Sequence, residues 1–203
     1  MATRQVALLR GINLGRSRRI AMADLRKMVS ALGYADVSTH MQSGNVVLST
    51  EDAPDVVARA IESAIARETS FDVSVLVRTR AEMDGVVADN PLADVVTDPA
   101  RLLVAFLSIP PERSWLDAAG LAGFDTRLLG LGAAELYIWC PDGILASPIP
   151  DALSKVKHPG LVATSRNWRT VIRLHDMLHA SGAQLSSGSR PRSRSGFGRL
   201  VGH

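Results

Sequence analysis

The hydrophobic pattern of the first eighty residues changes period from one segment to the next, and the order of those changes constrains the fold more than anything else in the chain. Gln5–Leu9 reads as a short buried strand that stops at Arg10-Gly11-Ile12-Asn13-Leu14-Gly15, a loop punctuated by two glycines. Met22, Leu25, Met28, Val29 and Leu32 then recur at three- and four-residue steps, predicting a helix that Gly33 ends. Val37–Met41 and Val46–Ser49 read as strands joined by Gln42-Ser43-Gly44-Asn45, where Gly and Asn tolerate positive φ. Pro54 opens a second helix with Val57, Ala60, Ile61, Ala64 and Ile65 on its apolar stripe, and Val73–Val77 is the next strand. Strand, helix, strand, strand, helix, strand is the split βαβ pattern of a ferredoxin-like sheet with right-handed crossovers. The expected class is α+β, with a ferredoxin-like first half at residues 1–80.

A bridging segment, 81–100, holds a helix at Ala81–Ala88 that ends near Asn90-Pro91. A second small α/β subdomain is expected at 101–180. Its strands are Leu102–Leu107, Phe124–Leu129 and Glu135–Cys140, the last two flanking a Gly130-Leu131-Gly132 turn. Helices are expected at Trp115–Leu121, at Ala152–Lys157, and at Arg166–His179 with Trp168, Val171, Ile172, Leu174 and Leu178 inward. No internal repeat is evident beyond a loose alternation of strands and helices. Residues 181–203 are rich in Ser, Gly and Arg and too poor in apolar groups to offset the entropy of ordering, so a disordered tail is expected.

Composition narrows the function classes. A chain of 203 residues that is 46% apolar can bury a core without staples, and its single Cys140 excludes a disulfide framework and a Cys-rich zinc module. No apolar run approaches the roughly 18 residues of a membrane span, so no membrane partner and a cytoplasmic location are expected. The net charge of +3 comes from the tail, whose Arg190, Arg192, Arg194 and Arg199 have no acidic counterpart, so the remaining 180 residues carry a net charge of −1. A nucleic-acid partner, tracked by a basic edge and the tail, is therefore an alternative, but aromatic residues for base stacking make up only 4% of the chain.

Three separated motifs resemble a known family. Arg10-Gly11-Ile12-Asn13-Leu14-Gly15, Gln42-Ser43-Gly44-Asn45-Val46 and Thr164-Ser165-Arg166-Asn167-Trp168-Arg169-Thr170-Val171 are similar, in order, to the domain-of-unknown-function 1697 family of bacterial proteins. The resemblance covers residues 5–178 and implies an α+β fold with a ferredoxin-like first half; it brings no established activity. Two departures from the family pattern are Arg16 after Gly15, where a second glycine is usual, and Ala146-Ser147-Pro148-Ile149-Pro150 in place of a Ser-Lys stretch.

The split βαβ topology brings the loop after the first strand and the turn between the second and third to one sheet edge. Helix starts are electropositive, yet Arg16, Arg18 and Arg19 precede the first helix, and Arg166 is expected in the first turn of the last one behind a Ser165 cap. Cations at two helix starts imply a missing anion. The expected ligand-binding residues are Arg10, Gly11, Asn13, Gln42, Ser43, Asn45, Arg166 and Asn167, and the expected partner is a phosphorylated small molecule. The structural alternative gives Gly11 and Gly15 to positive φ, Asn45 to a turn, and Arg10 to an ion pair with an acid such as Asp24. A third reading is an enzyme using Arg10 and Arg166 to stabilise developing charge, with no base beyond Asp24. His175 and His179 have the spacing of two zinc ligands, but no third ligand is evident, so neither a metal nor a cofactor is expected.

Overall fold

The computed structural model describes residues 2–14, 18–112, 117, 125, 127–155 and 158–180. The first half runs β1 Thr3–Leu9, α1 Met22–Ala31, β2 Ala35–His40, β3 Asn45–Thr50, α2 Pro54–Glu68, β4 Val75–Thr79 and α3 Arg80–Ala88. After a 3-10 turn at Pro99–Arg101 the second half runs β5 Leu102–Leu107, β6 Leu129–Leu131, β7 Glu135–Trp139, α4 Ile149–Ser154, β8 Ala163–Asn167 and α5 Trp168–His179. The fold is α+β, built on two antiparallel four-stranded sheets ordered β2-β3-β1-β4 and β6-β7-β5-β8. The first-half elements follow the alternation read from the sequence.

The two sheets share one strand order, a repeat that the residues themselves conceal. In each half the first strand pairs with the third and the fourth, and the fourth leads directly into a helix. Detail follows the same rule: Leu9 N donates to Gly44 O and Leu107 N to Ala134 O, both at 2.9 Å. The expectation of no repeat fails because the matching positions keep strand geometry while exchanging side chains.

Alternation sends each strand's side chains to opposite faces. Val6, Leu8, Val47 and Leu76 of the first sheet and Val104, Phe106, Tyr137 and Trp139 of the second point toward each other. They share one core with Met83 and Val86 of α3 and Val171, Leu174, Met177 and Leu178 of α5. The outer face of the first sheet is covered by α1 and α2, through Leu25, Val29, Val57, Ile61 and Ile65. That of the second packs on the shorter α4 through Ile149. Both helices of the shared core have secured ends. Thr79 and Glu82 form a reciprocal capping box at the start of α3, and Arg4 Nη1 donates to the Met177 and Ala180 carbonyls at the end of α5, both at 2.5 Å.

Several second-half expectations are corrected. Residues 163–167, assigned no strand from sequence, form β8, and the last helix begins at Trp168. The inward residues of β8 are Thr164 and Arg166, so it lacks the apolar alternation by which strands are recognised. Gly130-Leu131-Gly132 is not a turn: Leu129–Leu131 is β6, which pairs with β7, and the chain reverses after it. The helix expected at Ala152 begins at Ile149, with Pro150 in its first turn. Most of the helix expected at Trp115–Leu121, part of the strand expected at Phe124–Leu129, Val156 and Lys157, Gly15, Arg16 and the tail lie outside the described residues.

Candidate functional site

Three of the eight residues expected to bind an anion, Arg166, Asn45 and Ser43, hold the two sheets together. Arg166, only 6% exposed, points from β8 into the first sheet. Its Nη2 donates to the carbonyls of Leu9 at 2.9 Å, Ser43 at 3.2 Å and Gly44 at 3.3 Å. Its Nε donates to Asn45 Oδ1 at 2.5 Å, and its Nη1 to Thr164 Oγ1 and the Ser165 carbonyl. Every donor of the guanidinium fork thus meets a neutral acceptor. Burial lowers its pKa to about 10, which leaves it charged at neutral pH.

Asn45 is fully buried and also donates to His40 O and Ser43 Oγ. It starts β3 with ordinary strand φ; the left-handed positions of the turn are Met41 and Gly44. Gly44 is required there twice over, because its φ is +75° and a Cβ would lie 2.7 Å from Ile12 Cδ1 and 2.8 Å from Leu9 Cβ. Asn13, at φ 57°, bridges its own loop: its amide donates to Ile20 O and Gln42 O, and its oxygen accepts from Ile20 N. The structure therefore brings Asn13, Gln42, Ser43 and Asn45 to one end of the first sheet, and Arg166 joins them from β8 of the second.

The argument from helix starts is corrected at both ends. Asp24 stands in the first turn of α1, so that terminus already has a carboxylate. At α5 the cap is Asn167, whose oxygen accepts from Arg169 N at 3.0 Å and whose amide donates to Ala100 O, while Arg166 lies on the preceding strand. Ser165 caps nothing.

Arg10 is the exception. Its main-chain N–H donates to Ser74 O at 2.9 Å, which fixes the backbone as it leaves β1, and Gly11 turns the chain away at φ +67°. The exposed guanidinium has no hydrogen-bond or ion-pair partner among the described residues. It lies between two openings. A wide depression of about 640 Å³ is lined by Arg10 and Arg18 but also by Glu62 and Asp72. A narrower cleft of about 250 Å³ runs along the outer face of the second sheet, over Ala105, Leu107, Leu136, Ile138 and Ala163, with Leu153 of α4 opposite. Arg10 is the one charged residue among the described residues lining this cleft, and Ser165 adds a hydroxyl. Arg166 lines neither opening, so Arg10 and Arg166 do not form a shared catalytic pair. Asp24 lies apart, on a third depression with Lys27 and Glu68.

Sequence reasoning missed the cleft because it is closed by β8 and α4, the strand with no apolar signal and the helix whose boundaries shift, set against the legible strands β5 and β7. It also missed Asp84 of α3, whose carboxylate meets both His175 and His179.

The family described as "Protein of unknown function (DUF1697)" matches residues 2–137. Among solved structures the chain is similar to a conserved bacterial protein, SP0830, from Streptococcus pneumoniae: 22% identity over 88% of this chain and 99% of that one, with a TM-score of 0.69. That likeness bears on the fold. No curated protein matches the sequence.

Proposed function

This chain belongs to the DUF1697 family, and from its geometry we propose that it binds a small organic anion, the charged head against Arg10 and the apolar body in the cleft between the second sheet and α4. The observation that carries this reading is an unpaired guanidinium at the rim of an otherwise apolar cleft. An exposed arginine beside acids is a solvated surface charge; one beside Leu107, Ile138 and Leu153 strengthens its bond to an incoming oxyanion, because the ligand's own body excludes water. The wider depression is the poorer choice for an anion, since Glu62 and Asp72 repel it. Carboxylates and phosphate monoesters both fit the head position.

The reading is one of binding: among the described residues the cleft offers a cation and a hydroxyl, Arg10 and Ser165, to hold a head group. Nucleic acid finds less support. Both faces of the first sheet are packed against helices or the second sheet, which leaves no open sheet surface for bases to stack on.

Titration of the isotope-labelled protein with octyl phosphate, octanoate, octanol and inorganic phosphate tests the reading. The two amphiphilic anions are expected to shift the amides of Leu107, Ile138 and Ser165, the better of them identifying the head group. Arg10→Gln should weaken that binding by roughly tenfold or more, the equivalent of a lost charge-assisted hydrogen bond of about 1.5 kcal/mol. Octanol binding as tightly as the anions, or an Arg10→Gln variant binding as well as the parent, would overturn it.

A further inference from the structure

We propose that Asp84, His175 and His179 form a site for one divalent transition-metal ion, of the zinc, cobalt or nickel class, which joins α3 to α5. His175 and His179 are four residues apart on α5 and so lie one above the other on the same face. Asp84 stands opposite them on α3, its Oδ1 2.9 Å from His175 Nε2 and 2.7 Å from His179 Nε2. One ligand atom from each residue falls within 4.8 Å of the others, and the imidazole centroids are 4.6 Å apart.

Bonds of about 2.0–2.1 Å in a tetrahedral shell put ligand atoms roughly 3.4 Å apart. The two nitrogen–oxygen separations, 2.9 and 2.7 Å, therefore need to open by about 0.5–0.7 Å, and the two imidazole nitrogens, within 4.8 Å of each other, to settle near the same spacing, to admit an ion. Two imidazoles and one carboxylate select borderline ions such as zinc over calcium or magnesium, which favour all-oxygen shells. The side chains of His175, His179 and Asp84 are 25%, 42% and 45% exposed, so the fourth position opens to water.

The supporting elements are fixed without the ion. The capping box starts α3, Arg4 holds the end of α5, and Met83 and Val86 pack in one core with Leu174 and Leu178. The ligands are thus held in register before metal arrives, which lowers the entropy lost on binding.

Calorimetry and cobalt absorption on the untagged full chain, stripped of metal with a chelator and kept near pH 7.5, test the site. One equivalent of zinc should bind with a dissociation constant of about 10 µM or tighter, and cobalt should give the intense visible bands of a four-coordinate ion. Asp84→Asn, His175→Asn and His179→Asn should each weaken zinc binding at least tenfold and bleach the cobalt bands. His158→Asn, on the loop before β8, should change neither. Circular dichroism of each variant separates lost binding from lost fold, and imidazole nitrogen shifts in the parent protein identify the bound histidines without any substitution. Absence of saturable binding below about 100 µM zinc, or binding that survives Asp84→Asn together with His175→Asn, would overturn the proposal; in that case Asp84 simply accepts hydrogen bonds from two imidazoles.

Discussion

Arg78 and Arg166 occupy the same place in the two halves, yet the halves receive them differently. Each is the fourth residue of its sheet's last strand, is no more than 7% exposed, and reaches across the shared core into the other sheet. Arg166 reaches the end of β1, the turn before β3 and Asn45; Arg78 reaches the end of β5, the turn before β7 and Glu135. Three carbonyls correspond, Leu9 with Leu107, Gly44 with Ala134 and Ser165 with Val77; Arg166 adds Ser43 O and Thr164 Oγ1, and the facing side chain is an amide at Asn45 and a carboxylate at Glu135. One fold thus holds a buried guanidinium by neutral dipoles in one half and by an ion pair in the other. Net burial costs differ accordingly, because an ion pair leaves a charge behind when one member is removed and a carbonyl cage does not.

Arg78→Met should therefore produce the largest loss of stability. It strands Glu135, 4% exposed, among Phe106 and Leu107, where a lone carboxylate costs roughly 3–5 kcal/mol. Urea denaturation measures it; a deficit no larger than that of Arg166→Met breaks the contrast between the halves.

Arg166→Met comes second, at about 2–3 kcal/mol. It leaves the Leu9 and Ser43 carbonyls and Asn45 Oδ1 short of donors, each a desolvated polar group, but it also removes a charge whose burial has already lowered its pKa. No acid is stranded, so this deficit should be the smaller of the two. Arg166→Lys should recover part of the loss, since an ammonium supplies three donors without the planar fork.

The same inequality between halves decides what was legible in the sequence. Where apolar residues run unbroken, as in β1 and β5, or recur at helical spacing, as in α2, the elements are legible, and the strand order of the first half follows from topology rules. Where a strand's inward residues are Thr164 and Arg166, hydrophobic pattern carries no strand signal, and Arg166 was assigned to the wrong element. A cation placed at a helix start implied an anion; Arg166 lies instead on a strand, buried, where main-chain carbonyls, invisible in any side-chain pattern, satisfy it. Arg10 is legible as a side chain of the loop after β1, but its cleft lies beside α4, which has 6 residues where α2 has 15, a length that Pro148 and Pro150 obscure. His175 and His179 were recognised as a pair, while Asp84, 91 residues away from His175 in the chain, could be supplied only by the packing of α3 on α5.

The smallest effect is expected from changing both members of the ion pair. Arg78→Met with Glu135→Leu removes two opposite charges together, so no unpaired ion remains, and the added apolar volume packs beside Phe106 and Leu107. The residual cost is the Leu107 carbonyl, which loses a 2.6 Å donor, and the Ala134 N–H, which loses Glu135 Oε2; Ala134 O keeps its bond from Leu107 N. That puts the double variant about 1–2 kcal/mol below the parent, less than Arg78→Met alone. With Glu135→Leu as the other single, the cycle should return a coupling free energy of at least about 2 kcal/mol. Coupling near zero would mean that the carbonyl contacts, common to both halves, set the cost at Arg78 as they do at Arg166, and that the carboxylate at Glu135 adds nothing the amide at Asn45 does not.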